Sequence, residues 1–327
     1  MNPRLSLIAR PAPEENPTSE FATAFQLALT SEPRRISPKF FYDAAGCELF
    51  DQICALPEYY PTRTELGILQ RHAHEMAARI GPGADVIEFG AGVMTKIRLL
   101  LHALAEPVRY VPVDIAAEHL QAQANLLAAD FPGLEVQPLA ADFTQGFALP
   151  EATMKPRARI GFFPGSSIGN FAPDDARRFL RAAARTLRGG GMLIGVDLVK
   201  EPAVLHAAYN DRQGVTAAFN KNLLVRANRE LAADFDLEGF DHYAFYNPVA
   251  SRIEMHLVSN RPQQVTIETE IFEFAPGQTL HTENSYKYSL SGFEKLARQA
   301  GFEPKQVWCD EQEWFSVHWL AAPKDAD

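Results

Sequence analysis

Val86-Ile-Glu-Phe-Gly-Ala-Gly-Val-Met94 and Val111-Pro-Val-Asp114 decide the fold. Each holds a short apolar run closed by an acid, Glu88 in the first and Asp114 in the second. A short apolar run of this kind reads as a strand buried on both faces, as in a parallel sheet. Gly90 and Gly92 follow the first run, where a doubly wound α/β domain lets its backbone approach a ligand. Asp114 falls about 24 residues beyond Gly90, near where such domains place the acid that takes ribose hydroxyls. Position 95 is threonine, not the third glycine of a G-x-G-x-x-G fingerprint. That glycine serves close packing over a pyrophosphate, so its absence argues against NAD or FAD. Glu88, just ahead of the glycines, suits a cofactor with a cationic amino-acid tail and no phosphate. S-adenosylmethionine (SAM) fits that description. Two close glycines alone often mean only a tight strand–helix turn, and Asp114 is what tips the reading toward a nucleoside ligand.

Outward from this pair, strands and helices alternate. The pattern predicts strands over Asp85–Phe89, Arg109–Val113, Glu135–Ala140, Ala158–Phe163 and Met192–Asp197. Helices are expected over Lys96–Leu104, Ala117–Phe131 and Asp174–Leu187, the last closed by Gly189-Gly-Gly191. Such alternation means a mostly parallel sheet with right-handed crossovers. Past Lys200 it stops. Residues 201–235 read as helical, and 240–285 as antiparallel strands over His242–Asn247, Arg252–Ser259 and Gln264–Phe274. A helix resumes near Ser291 and ends at Gly301, and Pro304–Asp310 and Trp314–Leu320 close the chain as strands. Upstream, helical patterns cover Phe21–Leu29, Glu48–Ala55 and Thr64–Ile80. The expected fold class is α/β: a doubly wound, Rossmann-like sheet ending in an antiparallel pair, similar to SAM-dependent methyltransferases. Residues 62–200 and 286–327 would form this core, and 1–61 and 201–285 a second, discontinuous α+β substrate lobe.

Composition narrows the partners. The net charge of −10 argues against a nucleic-acid partner, which favours a basic face. Cys47, Cys54 and Cys309 form no C-x-x-C pair, which points to reduced thiols and a cytoplasmic setting. His72 and His74 are two apart and face different sides of a helix, so no metal site is expected. The first ten residues lack the apolar core of a signal peptide, and no apolar run reaches membrane-spanning length. A monomer without membrane or nucleic-acid partner is the expectation.

Three further segments stand out, each with a plain structural alternative. Phe40, Phe41, Tyr42, Phe50, Tyr59 and Tyr60 form an aromatic cluster, and such rings in a small lobe are most often core. Gly165-Ser-Ser-Ile-Gly-Asn170 follows the fourth strand, where open α/β sheets bind ligands. Asn170 suits a carboxylate or amine, or else caps a helix, unless Asp174 and Asp175 do the capping. Thr282-Glu-Asn-Ser285 lies in a returning strand, where a glutamate is usually solvated.

These segments carry a resemblance. Phe41-Tyr-Asp43, Leu49-Phe-Asp-Gln52, Pro57-Glu-Tyr-Tyr-Pro-Thr-Arg-Thr-Glu65, Gly165-Ser-Ser-Ile-Gly-Asn170, Gly214-Val-Thr-Ala-Ala-Phe-Asn220 and Glu230-Leu-Ala-Ala-Asp-Phe-Asp236 resemble the L-histidine Nα-methyltransferases of ergothioneine biosynthesis. The likeness runs from about Pro38 to near the C-terminus. It implies three methyl transfers from SAM to the α-amine of L-histidine, giving hercynine. It also implies site roles. Gly90, Lys96, Asp114, Asp142 and Phe143 would line the SAM pocket, with Asp114 on the ribose and Asp142 and Phe143 on the adenine, beside Glu88 and Gly92 already read from the loop as cofactor-binding. Tyr59, Asn170 and Tyr209 would hold the amino-acid backbone. Tyr42 and Phe50 would border the α-amine as the catalytic pair. Glu283 and Ser285 would read the imidazole, with Met255 packed nearby. Asn284-Ser-Tyr-Lys-Tyr288 departs from the Val-Ser-Cys-Lys-Phe of actinobacterial members but keeps the specificity serine.

The chemistry explains the residue types. Methyl transfer is an in-line displacement by a neutral amine, so placement dominates and no metal is required. The ammonium must lose a proton, and Tyr42 is the candidate acceptor. Methylated products are bulky cations, which aromatic faces tolerate. Phenylalanine in the site would leave Glu283 and Ser285 unpaired. Three alternatives remain at this stage: a SAM-dependent N-methyltransferase of another aromatic amino acid or small amine, a non-catalytic SAM-binding protein, and a nicotinamide oxidoreductase.

Overall fold

The computed structural model describes residues 17–267 and 269–324. Its helices are α1 (Pro17–Thr30), α2 (Ala44–Ala55), α3 (Tyr60–Ile80), α4 (Thr95–Ala103), α5 (Ala117–Asp130), α6 (Pro173–Thr186), α7 (Pro202–Tyr209), α8 (Val215–Glu230) and α9 (Leu290–Gln299). Its strands are β1 (Ala84–Phe89), β2 (Arg109–Asp114), β3 (Glu135–Val136), β4 (Leu139–Ala140), β5 (Ala158–Phe163), β6 (Gly191–Asp197), β7 (Phe240–Asn247), β8 (Arg252–Ser259), β9 (Gln263–Ile267), β10 (Glu270–Phe274), β11 (Thr279–Tyr286), β12 (Glu303–Cys309) and β13 (Phe315–Ala321). The described chain forms two compact units, 61–199 with 286–324, and 17–60 with 200–285. None of its helices is long and apolar enough to cross a membrane.

The first unit is built on an eight-stranded sheet in the order β12-β13-β6-β5-β1-β2-β3, with β4 also on β2. β6, β5, β1 and β2 are parallel, while β13 and β12 run antiparallel at one end. Every residue of β1 and β6 is buried, as continuous apolar strands require. Helices cover both faces. Met76, Ile97 and Leu120 pack on one, and Phe179, Leu180 and Phe293 on the other. The strand order reverses at β1, between β5 and β2, so the carboxyl ends of these strands are where a ligand belongs.

Two expectations need correction here. Glu135–Ala140 is not one strand but β3 and β4, because Pro138 has no N–H to donate to the ladder. Asp174 and Asp175 do not cap α6. Ala172 holds the N-cap position with no side-chain cap, Pro173 opens the helix, and the two acids pair with Arg177 and Arg178.

The second unit holds a three-stranded sheet, β11-β8-β7, and a separate hairpin, β9–β10. The expected single strand Gln264–Phe274 folds back on itself, setting Glu270 opposite Ile267. α2 starts at Ala44 rather than Glu48, because Asp43 Oδ1 accepts the Gly46 N–H at 2.8 Å. Gly46 is needed there, since a Cβ would lie 1.7 Å from the Phe41 carbonyl oxygen. α3 likewise starts at Tyr60 rather than Thr64, with Pro61 in its first turn.

Candidate active site

At the carboxyl end of β1, Glu88 is 3 % exposed and accepts the Tyr110 hydroxyl proton. Burial pushes its carboxyl up to about 8; the Tyr110 hydrogen bond and Lys96 pull down, and the Glu65 and Asp114 carboxylates push up. The chain then turns at Gly90, whose φ of +72° is a left-handed value that favours glycine. A Cβ there would sit 3.4 Å from the Phe143 ring. The Gly90 and Ala91 N–H groups donate to Val113 O at 2.9 and 3.1 Å, tying the loop to β2. A Cβ on Gly92 would meet nothing, so its space is open on the protein side.

Asp114 ends β2. Its Oδ1 accepts the Ala116 N–H at 2.9 Å, and burial raises its carboxyl. Asp142 Oδ1 accepts the Thr144 N–H at 2.9 Å and the Thr144 hydroxyl at 2.5 Å, fixing the turn beneath Phe143. Phe143 packs edge-on against Phe89, Phe163 and Phe179. After β5, Gly165 and Ser166 take successive left-handed conformations, and Ser166 Oγ accepts the Asp197 N–H at 2.9 Å. This turn leads into a short 3-10 helix, Ser167–Asn170, which leaves Asn170 half-buried at its end. Glu88 in β1, the Gly90 turn after it and Lys96 in α4 therefore provide an acid, a bare backbone and a cation around the carboxyl end of one central strand. That set fits an adenosine ligand with a zwitterionic tail.

Sequence reasoning missed the residue that joins these segments. Glu65, in α3, is fully buried. Its Oε2 accepts the Gly165 N–H at 2.8 Å and lies 2.6 Å from Lys96 Nζ. Its Oε1 has no hydrogen-bond partner among the described residues and lies 2.1 Å from where a Cβ on Gly195 would stand. A central strand rarely uses glycine, and here β6 uses one to admit a carboxylate. The Thr-Arg-Thr-Glu65 stretch carried the family likeness but no chemical signal of its own.

In the second unit the aromatic cluster divides. Phe40, Phe41 and Tyr60 are core, as the plain reading held. Tyr42, Phe50 and Tyr59 stay half-buried and contact one another edge-on, Tyr42 to Phe50 at 5.7 Å and Phe50 to Tyr59 at 6.4 Å between centroids. Phe219 of α8, unassigned from sequence, sits behind Tyr42 and Phe50 at 5.8 and 6.0 Å. Tyr59 meets Tyr209 at 6.3 Å, and the Tyr209 hydroxyl donates to Ser285 Oγ at 2.7 Å. The Tyr59 hydroxyl is pushed well above the usual tyrosine range by burial, then by Tyr209, Cys54, Glu283 and Tyr42. It therefore remains a proton donor, and Glu283 is close enough to be felt. Met255, on the neighbouring β8, is 1 % exposed, and its carbonyl accepts the Thr282 hydroxyl at 3.1 Å. Glu254, His256 and His281 were also missed; their ligand-type atoms lie within 4.8 Å of one another.

Residues 21–322 match the family described as "Histidine-specific methyltransferase, SAM-dependent". The chain is 40% identical over 290 residues to a histidine N-alpha-methyltransferase of Mycolicibacterium smegmatis, covering 86% of this chain and 88% of that protein. It is 39% identical over 291 residues to the Mycobacterium tuberculosis protein of the same name, covering 86% and 89%. Ergothioneine biosynthesis protein 1 of Neurospora crassa is 31% identical over 335 residues, 96% of this chain but 36% of that longer protein. The match spans nearly all of both units, and the chain belongs to the histidine-specific, SAM-dependent methyltransferase family.

Proposed function

We propose that this enzyme moves three methyl groups in succession from SAM to the α-amine of L-histidine, yielding hercynine for ergothioneine biosynthesis. The observation that carries the proposal is the grouping of Tyr59, Tyr209, Ser285 and Glu283 in one unit, joined by the Tyr209–Ser285 hydrogen bond. Hydroxyl donors beside a carboxylate suit a ligand with its own carboxylate at one end and a ring N–H at the other.

The residue roles follow from chemistry. Bound SAM supplies an electrophilic sulfonium methyl. Glu88 would take the ammonium of its tail, Lys96 the tail carboxylate and Asp114 the ribose hydroxyls. Asp142 and Phe143 would hold the adenine, with Gly90 and Gly92 giving backbone access. Tyr59, Asn170 and Tyr209 would fix the histidine backbone, and Glu283 would accept the imidazole N–H with Ser285 on the other nitrogen and Met255 alongside. Tyr42 and Phe50 would border the α-amine, with Tyr42 the candidate proton acceptor. In-line displacement at a sulfonium carbon needs positioning to about 3–3.5 Å and no Lewis acid. The proposal takes the enzyme as a cytoplasmic monomer without membrane or nucleic-acid partners.

Mass spectrometry of histidine incubated with enzyme and SAM tests it. Accumulation of the three-methyl species is expected. A product that stops at one methyl, or transfer to another amino acid in preference, would overturn it. A panel of amino acids with labelled SAM separates histidine from other aromatic amines.

A further inference from the structure

We propose that His281 is a positioning residue that fixes the backbone of Glu283 and thereby sets the imidazole-reading carboxylate. The proposal deepens the histidine reading above and rests on it. β11 is the outer strand of its sheet. Its outer edge is bridged at His281: the His281 N–H donates to Arg34 O, and the Ile36 N–H donates to His281 O, both at 3.0 Å. The bridging segment turns away at the 3-10 helix Pro38–Phe41. Backbone groups two residues apart on a strand face the same edge, so Glu283 is next on that edge after His281. There the Glu283 carbonyl oxygen receives Nε2 of the His281 side chain at 3.0 Å. A carbonyl only accepts, so the ring carries its proton on Nε2.

The ring is itself held from behind. His281 and His256 stack at 4.4 Å between centroids and 17° between planes. His256 Nε2 lies 3.2 Å from Glu254 Oε2, which makes Nε2 the donor. His256 Nδ1 is then a bare lone pair, and it is buried without a partner among the described residues. Glu254 Oε1 accepts from Arg252 Nη2 at 2.7 Å and Asn247 Nδ2 at 2.9 Å. Burial keeps both imidazoles neutral, and His256 adds to it at His281, whose pKa is about 4. The same three residues offer metal-type donors, but two stacked, nearly parallel rings cannot both have one ion in their planes. The arrangement suits a rigid backing: Arg252 and Asn247 hold Glu254, Glu254 holds His256, and His256 supports the ring that grips Glu283.

Two variants separate this role from mere packing. His281→Gln places an amide nitrogen as many bonds from Cβ as Nε2 and gives up the stack. His281→Phe keeps the stack and gives up the donor. His281→Phe should raise the histidine KM about five- to tenfold, the loss expected for one positioning hydrogen bond, with a smaller change in kcat. His281→Gln should stay within about twofold of the parent. The affinity for S-adenosylhomocysteine, measured by calorimetry, should be unchanged in both and reports folding. Equal histidine KM values in the two variants, or a larger loss in His281→Gln, would overturn the proposal. If the parent enzyme ignored histidine, the reading of function would fail instead.

Discussion

Glu88→Gln is the substitution whose consequences the structure sets most fully. In the folded chain the Glu88 carboxyl is raised to about 8 from 4.5, with burial the largest cause. A carboxyl raised on folding binds an extra proton in the native state between those two values. Its contribution to stability is therefore full below about pH 4.5 and is lost as pH climbs to about 8. At 1.36 kcal/mol per unit, the interval corresponds to about 5 kcal/mol. Glutamine keeps the shape and still accepts from Tyr110, but it does not titrate. The stability of Glu88→Gln relative to the parent should thus rise by up to about 5 kcal/mol between about pH 5 and about pH 9. Urea denaturation across that range measures the difference, which isolates this one group. Two parallel stability profiles would refute the reasoning. Cofactor binding supplies the converse. A cationic ammonium beside Glu88 favours the carboxylate, so binding near neutral pH should release close to one proton in the parent and none in the variant. The variant should also lose about 10- to 100-fold in cofactor affinity, as for a hydrogen bond to a charged group.

Other predictions concern specificity and the joints of each unit. Glu283→Ala should lower kcat/KM for histidine by about 5- to 150-fold, equivalent to 1–3 kcal/mol, and improve the relative use of phenylalanine and tryptophan. Unchanged histidine kinetics in that variant would remove Glu283 from the reader. Gly195→Ala would put a methyl 2.1 Å from Glu65 Oε1 and 3.0 Å from the Phe315 ring, displacing the carboxylate. A stability loss of about 1–3 kcal/mol is expected, together with weaker cofactor binding, by thermal melting and calorimetry. Asp43→Ala removes the α2 cap and the bonds from Asn222 Nδ2 at 2.8 Å and Arg229 at 2.6 Å. It should destabilise by about 2 kcal/mol in urea, and a loss below about 0.5 kcal/mol would show that the cap is dispensable.

The sheet was legible because its signals are local. The two apolar runs ending in Glu88 and Asp114 are strands buried on both faces, and nothing in their surroundings competes with that pattern. Where a local signal was underweighted, an edge moved. Asp43 ahead of two alanines and Gly46 is a helix start, and Pro138 breaks a ladder. Glu65 was not legible, for a physical reason. Its burial depends on a glycine in a strand far along the chain, and no spacing within α3 reports that coincidence. Glu254 and His256 were half-legible, since residues two apart on a strand share a face. Their partner His281 comes from β11, and only the fold brings the rings together. For the ligand-facing residues, the sequence supplied names through likeness alone. The structure adds that Tyr59, Tyr209 and Ser285 form one connected group.

The proposed repeated methylation gives a physical reason for rings rather than acids around the proposed amine pocket. Each transfer removes an N–H donor, and the last leaves a permanent cation with none. A carboxylate 4 Å away would attract that cation by about 4 kcal/mol at an effective dielectric near 20, and would hold it as product. An aromatic face gives about 0.5–2 kcal/mol, which orients the cation and still releases it. In the proposed site Tyr42 and Phe50 would supply such faces, and the raised hydroxyl of neighbouring Tyr59 keeps that ring neutral with its O–H available to a carboxylate. The acid of this unit that does enter the reading, Glu283, is assigned to the imidazole, where a charge discriminates among side chains without trapping the product. Replacing Phe50 by aspartate should therefore preserve the first transfer better than product release, and the trimethylated product should stay enzyme-bound after a single turnover when enzyme and free ligand are separated by rapid filtration. Free trimethylated product at the parent rate would show that charge at that wall is immaterial.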